Sequence, residues 1–281
     1  MKKILVTGAN GQLGSELSAI SSEYTQYNWF FADRTQITLD NLEILKIQLN
    51  KIQPDIILNC GAYTAVDKAE TEKELAFKIN HLAVELIATF ASENNVKLIH
   101  ISTDYVFDGT SSIALTEDAE TNPINIYGAS KRDGEIACLQ HNPDSIIIRT
   151  SWVYSKFGNN FVKTMQRLMQ EKDSINVVND QVGSPTYAAD LAQAMLDILE
   201  SSKWSSGIYN YSNEGEISWY EFALSIKEYG GYTCNVGGIS SASYPTPAKR
   251  PEFSLLDKKK IKEVYNLDVP NYRESLKKMF I

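Results

Sequence analysis

Tyr127 and Lys131 stand four apart in Ile126-Tyr127-Gly128-Ala129-Ser130-Lys131, and their side chains suit proton transfer. On a helix that spacing puts both groups on one face. A phenol can donate a proton to a developing alkoxide, and a neighbouring ammonium favours its phenolate form. Moving a tyrosine from about 10 to near 7 would take roughly 4 kcal/mol, so one exposed pair is not enough without a dry pocket. In a chain this rich in Tyr and Lys the spacing also arises by chance, and position carries more weight. The pair follows Ile101-Ser102-Thr103-Asp104-Tyr105, the end of a strand pattern, where a Ser102 or Thr103 hydroxyl would lie beside Tyr127. The structural use for those hydroxyls is a turn or a helix cap.

Ahead of these residues lies Gly8-Ala9-Asn10-Gly11-Gln12-Leu13-Gly14, between the apolar strand Lys2 to Thr7 and a helical pattern carried by Leu13, Leu17 and Ile20. Glycines there permit a tight turn and a close diphosphate, and the following helix offers unpaired N–H groups. Three spaced glycines alone would equally suit a structural turn. Asp33 adds context, about 20 residues on at the end of a second apolar run, Trp29 to Ala32, where an acid can hold ribose hydroxyls. Its neighbour Arg34 suits a 2′-phosphate, so the pattern implies NADH or NADPH without choosing between them. A P-loop does not fit, because no Lys-Ser/Thr follows the last glycine.

The elements that must position these groups alternate. Apolar runs at Asp55 to Asn59, Lys97 to Ile101 and Ile146 to Ile148 are separated by helical patterns, one of them opened by a capping-box spacing, Thr71-Glu72-Lys73-Glu74. The pattern predicts an α/β fold: a Rossmann-type doubly wound parallel sheet with a smaller, mixed α/β substrate-binding lobe. Residues 1–152 and 188–212 are expected in the dinucleotide-binding domain, and 153–187 and 213–281 in the lobe. Helices are expected at Gly158 to Met169, Ala188 to Leu199 and from Glu216, strands at Ile175 to Val178 and Gly207 to Tyr211, and a loop at Gly237 to Pro251.

The 281 residues carry a formal charge of −8, which gives no general attraction to nucleic acid or an anionic membrane. The one dense basic run, Lys258, Lys259, Lys260 and Lys262, reads as a solvated helix face. Cys60, Cys138 and Cys234 form no C-x-x-C pattern and suit free thiols in a reducing compartment. No segment approaches about 18 uninterrupted apolar residues, so a cytoplasmic location is expected. His81, His100 and His141 form no metal set and read as structural or surface residues.

The motifs together resemble the extended short-chain dehydrogenase/reductases and, within them, the dTDP-4-dehydrorhamnose reductase family. Beyond the glycine loop, the matching segments are Gly61-Ala62-Tyr63-Thr64-Ala65-Val66-Asp67-Lys68-Ala69-Glu70, Ser102 to Gly109, Asn125 to Lys131, Arg149 to Tyr154, Gly158 to Phe161, Asn179 to Thr186 and Arg250-Pro251. The resemblance implies reduction of dTDP-4-dehydro-6-deoxy-L-mannose at C4. It implies Thr103, Tyr127 and Lys131 as catalytic, with Thr103 polarising the ketone and Tyr127 donating the proton. Thr103, Asp104, Trp152 and Arg250 would bind substrate, Arg250 at the diphosphate; for Trp152 core packing is the alternative. Gly8, Asn10, Gly11, Gln12, Leu13, Gly14, Asp33, Arg34, Thr38, Leu39, Ala62, Tyr63, Thr64, Tyr127 and Lys131 would hold the cofactor. Magnesium and a homodimer stay open. So do two other functions: a reductase or epimerase of another nucleotide-linked keto sugar, and a non-enzymatic Rossmann regulatory subunit, although such subunits tend to lose the Tyr/Lys pair.

Overall fold

A computed structural model describes residues 1–280. The first strand, β1 (Lys2–Thr7), is apolar on both sides: Ile4 and Val6 enter one core and Leu5 the other. Such a strand is stable only with helices over both faces. The first half continues with α1 (Gln12–Ile20), β2 (Tyr27–Ala32), α2 (Leu42–Ile52), β3 (Ile56–Asn59), α3 (Val66–Ala69), α4 (Lys73–Phe77), α5 (Ala83–Glu93), β4 (Lys97–Thr103), α6 (Ile126–His141) and β5 (Ile146–Thr150). The second half runs β6 (Val153–Tyr154), α7 (Phe161–Glu171), β7 (Ser174–Val178), β8 (Val182–Gly183), β9 (Thr186–Tyr187), α8 (Ala188–Glu200) and β10 (Gly207–Asn210). It closes with β11 (Ile217–Ser218), α9 (Trp219–Gly230), β12 (Asn235–Ile239), α10 (Lys259–Tyr265) and α11 (Tyr272–Lys277).

Six strands form one parallel sheet in the order β10-β5-β4-β3-β1-β2. The order reverses between β1 and β3, which opens a crevice beyond their carboxyl ends. Leu17, Leu191, Met195 and Ile261 cover one face of the sheet; Leu45, Leu49, Ile87 and Cys138 cover the other. Residues 73–93 are long and apolar enough to cross a membrane, but Ala83, Val84, Ile87, Ala88 and Ala91 are buried in the second of these cores. A separate cluster, with Tyr154, Val162, Met165, Phe222, Ile226 and Leu276 at its centre, packs α7, α9 and α11 with β7 and β12.

Three local expectations are corrected. The Thr71 side chain donates to the Lys68 carbonyl (3.1 Å), so it turns back toward α3, and α4 starts at Lys73 without a side-chain cap. Gly237 to Ile239 is strand, paired with Asn176 to Val178, because a neighbouring strand supplies hydrogen bonds that local glycine content does not foretell. The basic run is largely engaged: Lys258 is buried against Glu214 (3.3 Å), Lys262 also pairs with Glu214 (2.8 Å), and Lys260 donates to the Ile208 carbonyl (2.8 Å) above the Tyr209 ring. Apolar residues interleave with these lysines and draw the segment inward. Ile261, Tyr265, Leu267 and Val269 lie in the sheet's own core, although the sequence groups them with the lobe.

Helix α6 carries both Tyr127 and Lys131, and two devices hold it close. Gly128 lies against the Tyr105 carbonyl and Gly134 against the Asn80 carbonyl, where a Cβ would overlap backbone. Arg149 on β5 forms a fork on Glu135 (Nη2–Oε2 2.7 Å, Nε–Oε1 2.9 Å), with both side chains 3% exposed. Breaking a buried pair leaves one charge uncompensated. Glu135→Gln is therefore expected to lower stability by roughly 3 kcal/mol. Urea denaturation would read this as a lower midpoint with unchanged slope; an unmoved midpoint would show that the pair contributes little.

Candidate active site

Two loops meet at the crevice. Gly8, at φ +67°, ends β1 so close to the loop after β3 that a Cβ would stand 2.8 Å from the Gly61 backbone. A Cβ on Gly14 would strike the Gly8 carbonyl and the backbone of Ala9. Helix α1 then begins at Gln12 with Gly11 as N-cap and no side-chain cap, which leaves first-turn N–H groups for an anion. The Leu13 side chain is buried in the core, while Asn10 is exposed. This cradle fits a dinucleotide diphosphate.

At the end of β2, Thr35 donates to Asp33 Oδ1 from its backbone N–H (2.8 Å) and its hydroxyl (2.7 Å). These bonds hold the carboxyl below its usual range. Oδ2 has no partner among the described residues, and Arg34 beside it is exposed. Thr38 donates to Asp40 (2.5 Å), and the Leu39 side chain lies where a Cβ on Gly61 would fall. The loop Ala62-Tyr63-Thr64 is pinned by buried Asn80, which accepts from the Tyr63 N–H (2.8 Å) and donates to its carbonyl (3.0 Å) and to Ser130 Oγ (3.0 Å). Asn80 sits in a π-helical turn, Lys78–Leu82, and so ties the crevice loop to α6.

The acid–base group forms where β4 ends against α6. Asn125 caps α6 by accepting from the Gly128 N–H (2.7 Å) and reaches the Lys249 carbonyl with its other end (2.8 Å). Thr103 is both a cap and a site hydroxyl: it accepts from the Tyr105 N–H (3.2 Å) and donates to Asp104 Oδ1 (3.0 Å). Burial pushes the Tyr127 phenol up to about 12, the Thr103 hydroxyl opposes, and the Asp104 charge adds to the rise. Lys131 has no part in that shift, which agrees with the expectation that the pair alone does not lower the phenol, and Tyr127 stays protonated. Lys131 is itself 2% exposed, donates to the Ile101 carbonyl (2.6 Å), and burial draws it down to about 8, opposed by Glu135.

Two further candidate residues are Trp152 and Arg250. Trp152 has φ +48°, rare for a residue with a side chain, and its ring stacks 3.7 Å from Trp219. It is half-buried and packs against the lobe core. Arg250 forms a fork on Asp67 (2.9 and 3.1 Å) and holds that carboxyl below its usual range. Gln12 crosses the cleft: it donates to the Val153 carbonyl (3.2 Å) and accepts from Asn160 (2.9 Å). Among the described residues no group of three or more His, Cys, Asp or Glu converges to hold a metal.

Sequence reasoning missed Asn59, Asn80, His100 and Trp219. Each meets its partners through contacts distant in sequence, and no spacing rule signals them.

The family profile described as the RmlD substrate binding domain matches residues 1–281. The chain is 40% identical to the dTDP-4-dehydrorhamnose reductase of Sinorhizobium fredii, over 99% of this chain and 96% of that one. It is 37% identical to that of Aggregatibacter actinomycetemcomitans, over 99% and 98%. The crystal structure of the Bacillus anthracis dTDP-4-dehydrorhamnose reductase in complex with NADP superposes with a TM-score of 0.94 at 39% identity, covering 99% of this chain and 98% of that one.

Asp104 yields a stability prediction. Its carboxyl is buried, Oδ2 has no hydrogen-bond partner at normal geometry among the described residues, and desolvation lifts it from 3.8 to about 6, with the Ser254 and Thr103 hydroxyls opposing. Between those values the folded state holds a proton that the unfolded state has lost, so this group's contribution to stability is greatest below pH 4 and falls as pH rises through 6. Asp104→Asn removes that dependence. The variant should gain on the wild type by on the order of 2 kcal/mol between pH 4 and pH 7, read as diverging melting temperatures. Parallel curves across that range would contradict the burial cost.

Proposed function

Because the chain belongs to the dTDP-4-dehydrorhamnose reductase family, we propose that the crevice between β1, β3 and β4 is where it turns dTDP-4-dehydro-6-deoxy-L-mannose into dTDP-L-rhamnose. The observation that carries this reading is Tyr127, held protonated beside Thr103 and above buried Lys131 at the carboxyl edge of the sheet. When bound, NAD(P)H supplies the hydride that reaches C4 of the sugar.

The chain's own residues do the rest. Gly8, Asn10, Gly11, Gln12, Leu13 and Gly14 surround the cofactor diphosphate; Asp33 and Arg34 face the adenosine ribose; Thr38, Leu39, Ala62, Tyr63 and Thr64 wall the crevice. Lys131 holds the second ribose. Thr103 turns its hydroxyl from Asp104 to the C4 oxygen and stabilises the charge growing there. Tyr127 passes its proton to that oxygen. A phenol kept near 12 is a reservoir that stays full at neutral pH, which suits reduction. Arg250 exchanges Asp67 for the dTDP diphosphate, whose oxygens fit the same fork. Trp152 borders the sugar. Three unpaired thiols, Cys60, Cys138 and Cys234, suit a reducing compartment, and we place the reaction in the cytoplasm.

The test is oxidation of NADPH and of NADH by purified protein given the dTDP-linked 4-keto sugar, with product identified as dTDP-L-rhamnose. Turnover only of another keto sugar would replace the substrate. Tyr127→Phe should lower kcat by a factor of about 100 or more without abolishing dinucleotide binding. Wild-type turnover in that variant would remove Tyr127 as the donor.

A further inference from the structure

Beneath the crevice, buried polar side chains join Lys131 to the strand end under the glycine loop, and the reaction above uses only Lys131. The Gly61 N–H donates to Thr7 Oγ1 (3.0 Å), and the Thr7 hydroxyl to Asn59 Oδ1 (2.6 Å). Asn59 Nδ2 faces His100 Nδ1 at 2.9 Å, and His100 Nε2 faces Lys131 Nζ at 3.3 Å. Thr7 and His100 are fully buried, Asn59 is 1% exposed and Lys131 2%. Solvent therefore cannot stand in for a missing partner, and each link constrains the next.

The constraint has a direction. While Asn59 donates to Nδ1, a neutral imidazole keeps its proton on Nε2, aimed at Nζ. Only an uncharged amine, which has a lone pair, can accept it; an ammonium has donors alone. An ammonium at Lys131 needs the reverse sense. His100 then accepts at Nε2, carries its proton on Nδ1 and donates to the Asn59 oxygen, after the carboxamide has turned over to donate to Thr7 Oγ1.

The imidazole stays neutral in both senses, since burial and Lys131 hold its pKa well below the usual value. Lys131 is faced by Glu135 and Cys138 from its own helix, by Cys60 from the end of β3 and by His100 from β4. The two thiols are pushed up to about 11 and about 12, and Glu135 is committed to Arg149.

We propose that His100 and Asn59 are positioning residues for Lys131: the imidazole tautomer and the carboxamide orientation switch together with the charge of the amine, and only the reversed sense holds the ammonium. In that switch one proton leaves Nζ for solvent, while the imidazole loses its proton at Nδ1 and gains one at Nε2, with no net change. The inference rests on the catalytic reading of Lys131.

The test pairs the pH dependence of turnover with nitrogen NMR of histidine-labelled wild-type protein saturated with NADP⁺. Turnover should fall on the alkaline side as Lys131 loses its proton. The His100 signals should show the Nδ1–H tautomer below that limb and the Nε2–H tautomer above it. His100→Leu removes the acceptor for the ammonium and should move the limb down by roughly one pH unit. His100→Gln, which presents an acceptor to Lys131 and a donor to Asn59, should move it back. One tautomer at every pH, or an unmoved limb in His100→Leu, would overturn the proposal. Lys131→Met separates the two readings: full turnover in that variant would sink the role of Lys131 itself, whatever His100 does.

Discussion

The site depends on how near α6 comes to β4. Lys131 reaches the Ile101 carbonyl only because Gly128 and Gly134 let the helix lie against backbone that any Cβ would push away. That bond helps fix the helix along the strand and set Tyr127 over the strand end, next to Thr103. Close approach also excludes water, and exclusion of water accounts for most of the site's electrostatics. The carboxyl of Asp104 rises, the amine of Lys131 falls and the phenol of Tyr127 rises, each with desolvation as the leading cause.

These shifts act in different directions on the fold and on the chemistry. An acid raised to about 6 by burial and an amine drawn down to about 8 both make the folded state less stable near neutral pH than ordinary groups would. The buried fork between Arg149 and Glu135 anchors the same face of the helix one turn farther on, which gives the site a rigid frame against which that instability can be tolerated. Hydrogen bonds do the finer placement. Asn80 and Asn125, both buried, each join two chain segments, and Asn125 brings the loop before Arg250 to the mouth of the site.

Much of this was legible in the sequence where the signal is local. The apolar runs Lys2 to Thr7 and Ile146 to Ile148 can be buried on both faces only in a covered parallel sheet, and that is where they lie. The glycine loop and the i, i+4 pair also carry their geometry within a few residues. What stayed hidden depends on partners far along the chain. His100 reads as an ordinary strand residue until Asn59 and Lys131 are brought to its two nitrogens. The lysine run reads as solvated until Glu214 and the Ile208 carbonyl arrive beneath it. Where Lys131 sends its bonds was hidden likewise: spacing places the ammonium on the right face of the helix, but its bonds direct it to the strand.

The path of the chain through the two bodies has a mechanical consequence. After β5 the chain leaves the sheet for β6 to β9, returns through α8 and β10, leaves again through α9 and β12, and ends with α10 in the sheet's core and α11 in the lobe's. No single cut separates the two bodies. A protease that nicks the excursion between β5 and α8 would leave both fragments tethered by buried strands and helices, so cleaved protein should keep its size until denatured. Exchange of the lobe between relatives likewise cannot be done at one junction, since several crossing points, with Gln12 and Asn160 bridging the seam, must be transplanted together.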